Sequence, residues 1–291
     1  MKVNIQNLNL QPSNLPTFNL GLIGYPLSHS LSPRIHTAAF KACGLQGDYS
    51  LFPIKPDDKQ GLKKLFDRVR SGEIQGFNVT IPHKQNVIEF LDELTPTAQA
   101  IGAVNTIYLR DNKLIGDNTD APGFLSDLKK FLTTETQRHG DLNALVLGAG
   151  GSARAVVYAL INDGWNVILA ARRREQAEQL ASSFANYQLP IADLQTFQLE
   201  TFNLIINTTP LGMTPNIDTS PLPENLSLPQ HVIVYDLVYN PRETRLVKDA
   251  REKGLKATTG LGMLIEQAAL SFELWTGQNP PREILYASVV E

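Results

Sequence analysis

The stretch LNALVLGAGGSARAVVYALINDGWNVILAARRR (Leu142–Arg174) decides the fold. It reads as an apolar run, a glycine-rich turn, a helix-period segment that stops at Gly164, and a second apolar run. That is a complete βαβ unit of about 30 residues. Within it, Gly148-Ala149-Gly150-Gly151-Ser152-Ala153 fits G-x-G-x-x-[G/A], with Ala153 in the last place. The pattern follows a strand and opens a helix, the context that lifts it above chance. Gly148 allows the tight turn, Gly150 lets backbone N–H groups approach a pyrophosphate, and the small Ala153 lets helix and strand pack closely. The helix N-terminus adds its partial positive charge toward the phosphates. A dinucleotide is expected here; the substrate is left open.

The end of the second strand discriminates between cofactors. An NAD site needs a carboxylate about 20 residues on, to accept hydrogen bonds from the ribose 2′-OH. This chain has Ala170-Ala171-Arg172-Arg173-Arg174 there and no acid until Glu175. A guanidinium forks onto a phosphate and stacks on adenine, so Arg172 and Arg173 suit the 2′-phosphate of NADP. The bland alternative is a solvated basic start to the next helix.

Working outward, apolar bursts alternate with helix-period stretches almost throughout, the pattern of an α/β protein. Upstream, Phe18–Gly24, Tyr49–Ile54 and Gly76–Ile81 read as strands, and Lys59–Val69 as a helix. A helix over Pro33–Cys43 is expected from Ser32 as N-cap, Pro33 at N1 and the stop at Gly44. Residues 103–118 read as a hairpin turning at Asp111-Asn112, and Asp120 begins a helix toward Leu132. The polar stretch 133–143 breaks the rhythm. Downstream, Asn203–Pro210 and Val232–Pro241 read as strands, with a proline-rich surface loop between them. Gly262–Gly277 is the last clear helix.

At 291 residues, two domains are expected. Hydrophobic residues make up 42% and charged residues 19%, the balance of a folded chain, and the net charge of −3 offers no bulk basic surface for nucleic acid or an anionic membrane. One cysteine, Cys43, excludes an internal disulfide and a cysteine-based zinc site and fits a reducing cytoplasm. The opening MKVNIQNLNLQPSN lacks the marks of a signal or transit peptide, and no apolar run is long enough to span a bilayer.

A reductase of a ketone needs a proton donor beside the carbonyl and groups that orient the substrate. The candidates are Ser28, Ser30, Thr80, Lys84, Asn105, Asp120, Tyr239 and Gln267. All but Gln267 sit at predicted strand ends or in the loops that follow, where open α/β sheets bind ligands. None shows metal-ligand spacing. Each has a plainer reading. Ser28 and Ser30 are loop serines, although Ser32 already accounts for the cap. Asp120 could cap the helix at Ala121-Pro122. Lys84 opens a helix, where the macrodipole disfavours a cation, and that cost points to function. His83 reads as structural or surface. Asn105 could serve only the hairpin backbone, and Gln267 the polar side of a buried helix.

Eight segments carry a resemblance: YPLSHSLSPRIHTAAF, GFNVTIPHK, GAVNTI, GDNTDAPGF, VLGAGGSARA, NTTPLGM, VYDLVYNP and GLGMLIEQAALSF. In this order, from about Gly21 to Phe272, the chain resembles the shikimate dehydrogenase family. The resemblance implies a substrate-binding catalytic domain over 1–120, rejoined by 262–291, and a Rossmann-type doubly wound NADP-binding domain over 121–261. It implies reversible NADPH-dependent reduction of 3-dehydroshikimate to shikimate, on the route to aromatic amino acids. Ser28 and Ser30 would then hold the substrate carboxylate with Thr80 close by. Lys84 would transfer the proton, with Asp120 as its partner. Asn105, Asp120, Tyr239 and Gln267 would bind ring hydroxyls. Gly148, Ala149, Gly150, Gly151 and Ser152 would cradle the pyrophosphate, Arg172 and Arg173 the 2′-phosphate, and Leu237 and Gly260 would line the nicotinamide pocket. The family usually carries Asn where this chain has Ala171, so one adenosine-side contact is lost. Two alternatives stand beside this: a quinate/shikimate dehydrogenase using NAD, and a catalytically silent nucleotide-binding regulator. Oligomeric state, a homodimer included, stays open.

Overall fold

The computed structural model describes residues 17–132, 142–192, 199–223, 226 and 228–290. The polar N-terminal stretch, most of the break at 133–143 and part of the proline-rich loop fall outside them. The described residues fall into two compact units, one within 17–99, 103–119 and 265–290, the other within 100–102 and 120–264.

In the first unit six strands stand in the order β2-β1-β3-β5-β6-β4. These are β1 (Thr17–Gly24), β2 (Gln46–Pro53), β3 (Gly76–Val79), β4 (Glu93–Leu94), β5 (Thr106–Arg110) and β6 (Lys113–Asp117). The strands β2 and β3 lie parallel to β1, while β5 runs antiparallel to both β3 and β6. The hairpin turns where expected. Asp111 and Asn112 both adopt positive φ, 50° and 61°, the backbone that a two-residue turn needs to follow the strand twist. The helices are α1 (Ser32–Ala42), α2 (Lys59–Arg70) and α9 (Arg282–Val290), with most of α3 (Pro96–Ile101) and of α8 (Leu261–Thr276). Helix α2 starts at Asp58, whose carboxylate accepts the Gly61 N–H at 2.8 Å. Its stripe of Leu62, Leu65, Phe66 and Val69 closes the core against Ile23, Phe77, Val79 and Ile107.

In the second unit all five strands are parallel, in the order β11-β10-β9-β7-β8. They are β7 (Asn143–Leu147), β8 (Asn166–Ala170), β9 (Leu204–Asn207), β10 (Ile233–Asp236) and β11 (Ala257–Thr259). A lone parallel bridge from Leu169 to Ile191 extends the sheet beyond β8. The winding reverses at β7, so the crevice between β7 and β9 is the switch point of a doubly wound sheet. Helices α4 (Asp120–Phe131), α5 (Gly151–Asn162), α6 (Arg174–Ser183) and α7 (Arg245–Glu252) complete this unit. Leu145, Leu147, Ile205 and Val234 pack with Phe202, Leu246 and Val247 in its core.

Three expectations change. Helix α1 begins one residue early, at Ser32, with Leu31 in the cap position and no side-chain cap bond; the Ser32 N–H is instead taken by the Ser30 hydroxyl, at 3.2 Å. Ser32 is therefore not the cap, and Ser30 is engaged in the turn. No α-helix opens at Lys84. A single α-type bond, Val87 N–H to His83 O, gives way to i+3 bonds and a 3₁₀ turn over Ile88–Phe90, so the macrodipole argument for Lys84 lapses. The C-terminal stretch 262–291, expected as one helix, divides into α8 and α9. Among the described residues, no helix is long and apolar enough to cross a membrane.

Candidate active site

Because β5 runs opposite to β1, β3 and β6, its start shares an edge of the first unit's sheet with the ends of those three. The sequence candidates gather there. The turn carrying Ser28 and Ser30 follows β1, and it is tied to the β3 end by Tyr25 N–H to Ile81 O at 3.0 Å. A side chain at Gly24 would strike the Thr80 methyl, which brings Thr80 against the start of that turn. Asn105 does not end a strand, as expected, but precedes one, and the antiparallel pairing puts it beside Val79, whose N–H donates to Asn105 O at 2.8 Å.

Lys84 follows in the β3 turn and is buried. Its carbonyl accepts the Val104 N–H at 2.7 Å, so the lysine backbone is held one residue from Asn105. His83 is fully buried, with Nε2 2.8 Å from Ile54 O, which makes it structural and not the surface residue that was the other expectation.

The Asn105 amide is oriented without ambiguity. The Thr119 backbone N–H, which can only donate, reaches Asn105 Oδ1 at 2.7 Å. Nδ2 therefore faces the other way and donates to Thr119 Oγ1 at 2.9 Å and Gln267 Oε1 at 3.2 Å. Asn105 and Gln267, 162 positions apart, thus meet inside the first unit. The sequence reading missed Asn78, Thr106, Thr119 and Ser271, all buried around Asn105. A signal existed: Gln267 and Ser271 are i,i+4 on one helix, and Asn105-Thr106 and Thr119 flank the hairpin strands.

The remaining candidates lie in the second unit. Asp120 is the first residue of α4 and is buried, at a helix end whose partial charge favours a carboxylate. Gly148 has φ +113°, and a Cβ there would stand 2.5 Å from Thr208 Oγ1. Gly150 differs: its φ of −85° is ordinary, and a Cβ would meet no protein atom within 4 Å. The protein's own packing does not require glycine at 150, and the open space there leaves room for a ligand to approach the backbone. Gly150 is the N-cap of α5 and makes no side-chain bond to the first turn, and the backbone N–H groups of such a helix start suit an anion. Ala149 precedes it, and Gly151 and Ser152 open the helix. The residues present fit a pyrophosphate.

Arg172 and Arg173 are exposed and, among the described residues, neither guanidinium has an ion-pair or hydrogen-bond partner. Arg174 is engaged with Glu178 at 2.9 Å. The triple arginine therefore divides into one helix-surface pair and two cations available to a ligand. Leu237 and Gly260 come together, since a Cβ on Gly260 would overlap the Leu237 carbonyl. Tyr239 lies in the turn after β10, where burial raises its hydroxyl pKa. Among the described residues, no group of three or more His, Cys, Asp or Glu could hold a metal.

Comparison with known proteins decides what this arrangement belongs to. The shikimate dehydrogenase substrate binding domain matches residues 22–107, the shikimate/quinate 5-dehydrogenase family residues 131–246, and the shikimate 5′-dehydrogenase C-terminal domain residues 260–289. A shikimate dehydrogenase (NADP(+)) of Methanocaldococcus jannaschii is 42% identical over 96% of this chain and 98% of its own length. The chain belongs to the shikimate dehydrogenase family. Among solved structures, a shikimate dehydrogenase in complex with NADP+ superposes with a TM-score of 0.86 at 42% identity, over 94% of this chain and 95% of that one. The Thermus thermophilus shikimate 5-dehydrogenase in complex with NADP(H) and shikimate gives 0.81 at 37%, over 93% and 98%. Shikimate dehydrogenases therefore share both units of this chain, and the sheet-edge residues and glycine loop above lie within the matched regions.

Proposed function

We propose that this chain reduces 3-dehydroshikimate to shikimate, reversibly and with NADPH, as a cytoplasmic enzyme of aromatic amino-acid biosynthesis. The observation that carries the substrate half is the convergence of Lys84, Asn105, Gln267, Thr80 and the serine turn on one sheet edge, in a chain of this family. The cofactor half is supported by the glycine loop, with open space at Gly150, and by Arg172 and Arg173. The cytoplasmic assignment rests on the single cysteine and the biosynthetic role.

The bound cofactor supplies a hydride to the C3 carbonyl carbon. The chain supplies the rest. Ser28 and Ser30 bind the substrate carboxylate, Asn105, Asp120, Tyr239 and Gln267 fix the ring hydroxyls, and Leu237 and Gly260 shape the nicotinamide pocket. Lys84 Nζ donates its proton to the carbonyl oxygen as negative charge develops there, and takes it back in the reverse direction. Asp120 is the partner that the family resemblance gives it.

Adding 3-dehydroshikimate to protein and NADPH tests this directly. Stoichiometric loss of the NADPH absorbance with formation of shikimate is expected. Tight NADPH binding with no absorbance change would favour the silent regulator instead.

A further inference from the structure

Asn207 and Asp236 end the neighbouring parallel strands β9 and β10 and face each other in register. Both are fully buried, as is Thr244 at the start of α7. The Asn207 amide has one possible orientation. The Thr209 N–H, which can only donate, reaches Oδ1 at 2.9 Å, and the Leu211 carbonyl, which can only accept, lies 3.2 Å from Nδ2. Nδ2 therefore also donates to Asp236 Oδ1, at 2.8 Å. The same Oδ1 accepts the Val238 N–H at 3.0 Å, and Oδ2 accepts the Thr244 hydroxyl at 2.6 Å. Thr244 Oγ1 in turn accepts the Val247 N–H at 3.3 Å, so its single proton is spent on Asp236. Three donors thus converge on one carboxyl from the end of β9, the turn after β10 and the start of α7.

Leu237 lies between these fixed points. Its N–H donates to Asn207 O at 2.9 Å, Asp236 holds the N–H of the next residue, and a Cβ on Gly260 would overlap the Leu237 carbonyl. Burying two polar side chains costs free energy that an apolar pair would not. What a fully satisfied polar pair adds is a single defined geometry, and it stands at the carboxyl ends of parallel strands, where such sheets bind ligands. We propose that Asp236, oriented by Asn207, is a positioning residue of the cofactor site: it fixes the turn that carries Leu237 and so the place of the nicotinamide ring. This rests on the shikimate dehydrogenase reading above, which puts Leu237 and Gly260 at that ring. The same reading gives the adenosine half to the glycine loop and to Arg172 and Arg173, so Asp236 acts on one half of the cofactor only.

The test compares Asp236→Ala with Asp236→Asn and with Leu255→Ala, which opens a cavity in the same core outside the network. Each is titrated with NADPH and with adenosine 2′,5′-bisphosphate, which has the adenosine half and no nicotinamide. Asp236→Ala should raise the Kd for NADPH about five- to tenfold, the size of one lost hydrogen bond, and leave that for the bisphosphate within about twofold. Turnover of shikimate per NADPH-binding site should fall about tenfold or more, because hydride transfer depends on alignment of the ring. Asp236→Asn keeps an oxygen for Asn207 and Val238 and should stay close to the parent. Burial raises the Asp236 carboxyl to about 6, so the neutral amide forfeits no stabilising charge. Equal loss of both ligands in Asp236→Ala would overturn the proposal, as would the same selective loss in Leu255→Ala or a loss in Asp236→Asn as large as in Asp236→Ala. If Asp236→Ala does not fold, Asn207→Ser decides by the same two constants, since serine can still accept the Thr209 N–H but does not reach Asp236. A parent that binds NADPH but leaves shikimate unchanged would sink the functional reading, whereas an active parent with unselective variants would sink this proposal alone.

Discussion

Thr208 Oγ1 occupies the space that a side chain at Gly148 would need, 2.5 Å from the ideal Cβ position, and is held there by donating to Leu147 O at 2.7 Å. The turn after β7 is therefore closed by its neighbour after β9, across the switch point of the sheet. Gly148→Ala meets both this wall and a φ of +113°. It should destabilise the protein by about 1–3 kcal/mol as well as weaken NADPH binding. Gly150→Ala meets neither. It should leave Tm within about 2 °C, the effect of a few tenths of a kcal/mol, and still raise the Kd for NADPH at least about tenfold by blocking the approach of the pyrophosphate. Calorimetric Tm and a fluorescence titration with NADPH separate the two. Equal loss of Tm in both variants would show that the protein itself needs both glycines.

Lys84→Ala should lower kcat by about 10²–10⁴, the usual contribution of a general acid, with modest change in the Kd for shikimate. Steady-state rates beside equilibrium titration check this. Turnover close to that of the parent would remove Lys84 from the proton-transfer role.

Arg172→Ala should cut the preference for NADPH over NADH about 10- to 100-fold, the worth of a charge-assisted bond to phosphate. Arg174→Ala should change it by no more than about twofold, because that guanidinium already pairs with Glu178 on an exposed helix face. Ratios of kcat/KM for the two cofactors are the readout. A larger loss from Arg174 than from Arg172 would reverse the assignment.

His36 gives the fold a defined acid limit. It lies fully buried, stacked 4.2 Å from Tyr49 and near Phe272 and Trp275, and burial pushes its pKa down to about 3 from 6.5. As pH falls, the unfolded chain takes up this proton before the native state does. The stabilisation is complete above about pH 6.5 and is lost between there and about pH 3, at up to about 1.4 kcal/mol per pH unit. Asp236 acts oppositely. Burial raises its carboxyl to about 6, so the native state binds that proton first, and its contribution is lost as pH rises through that value. His36→Phe should therefore flatten the loss of stability in urea between about pH 6.5 and 4.5 relative to the parent. An unchanged slope would show that His36 does not limit acid stability.

What the sequence made legible follows from where local rules suffice. The βαβ unit at 142–174 carries its glycine turn, helix stop and strands within one short window. The Asp111-Asn112 turn likewise depends on two residues alone. The position of Lys84 after β3 is legible in the sequence, but the helix start that weighed in its favour does not exist, and the hold of its backbone on Val104 is shown by no local pattern. Ser271 and Thr106 were invisible for the same reason. Their meeting arises only when β3, β5 and α8, far apart in sequence, share one buried network. Arg172 and Arg174 looked alike as sequence, and the ion pair to Glu178 distinguishes them.

The central claim, an NADP-dependent shikimate dehydrogenase, is tested most directly by kcat/KM on shikimate and on quinate, each with NADP+ and with NAD+. Shikimate with NADP+ is expected to exceed each of the other three combinations by at least about tenfold, as a site that pairs its polar groups to one substrate and one phosphate should. Equal or better efficiency with NAD+ or with quinate would contradict it.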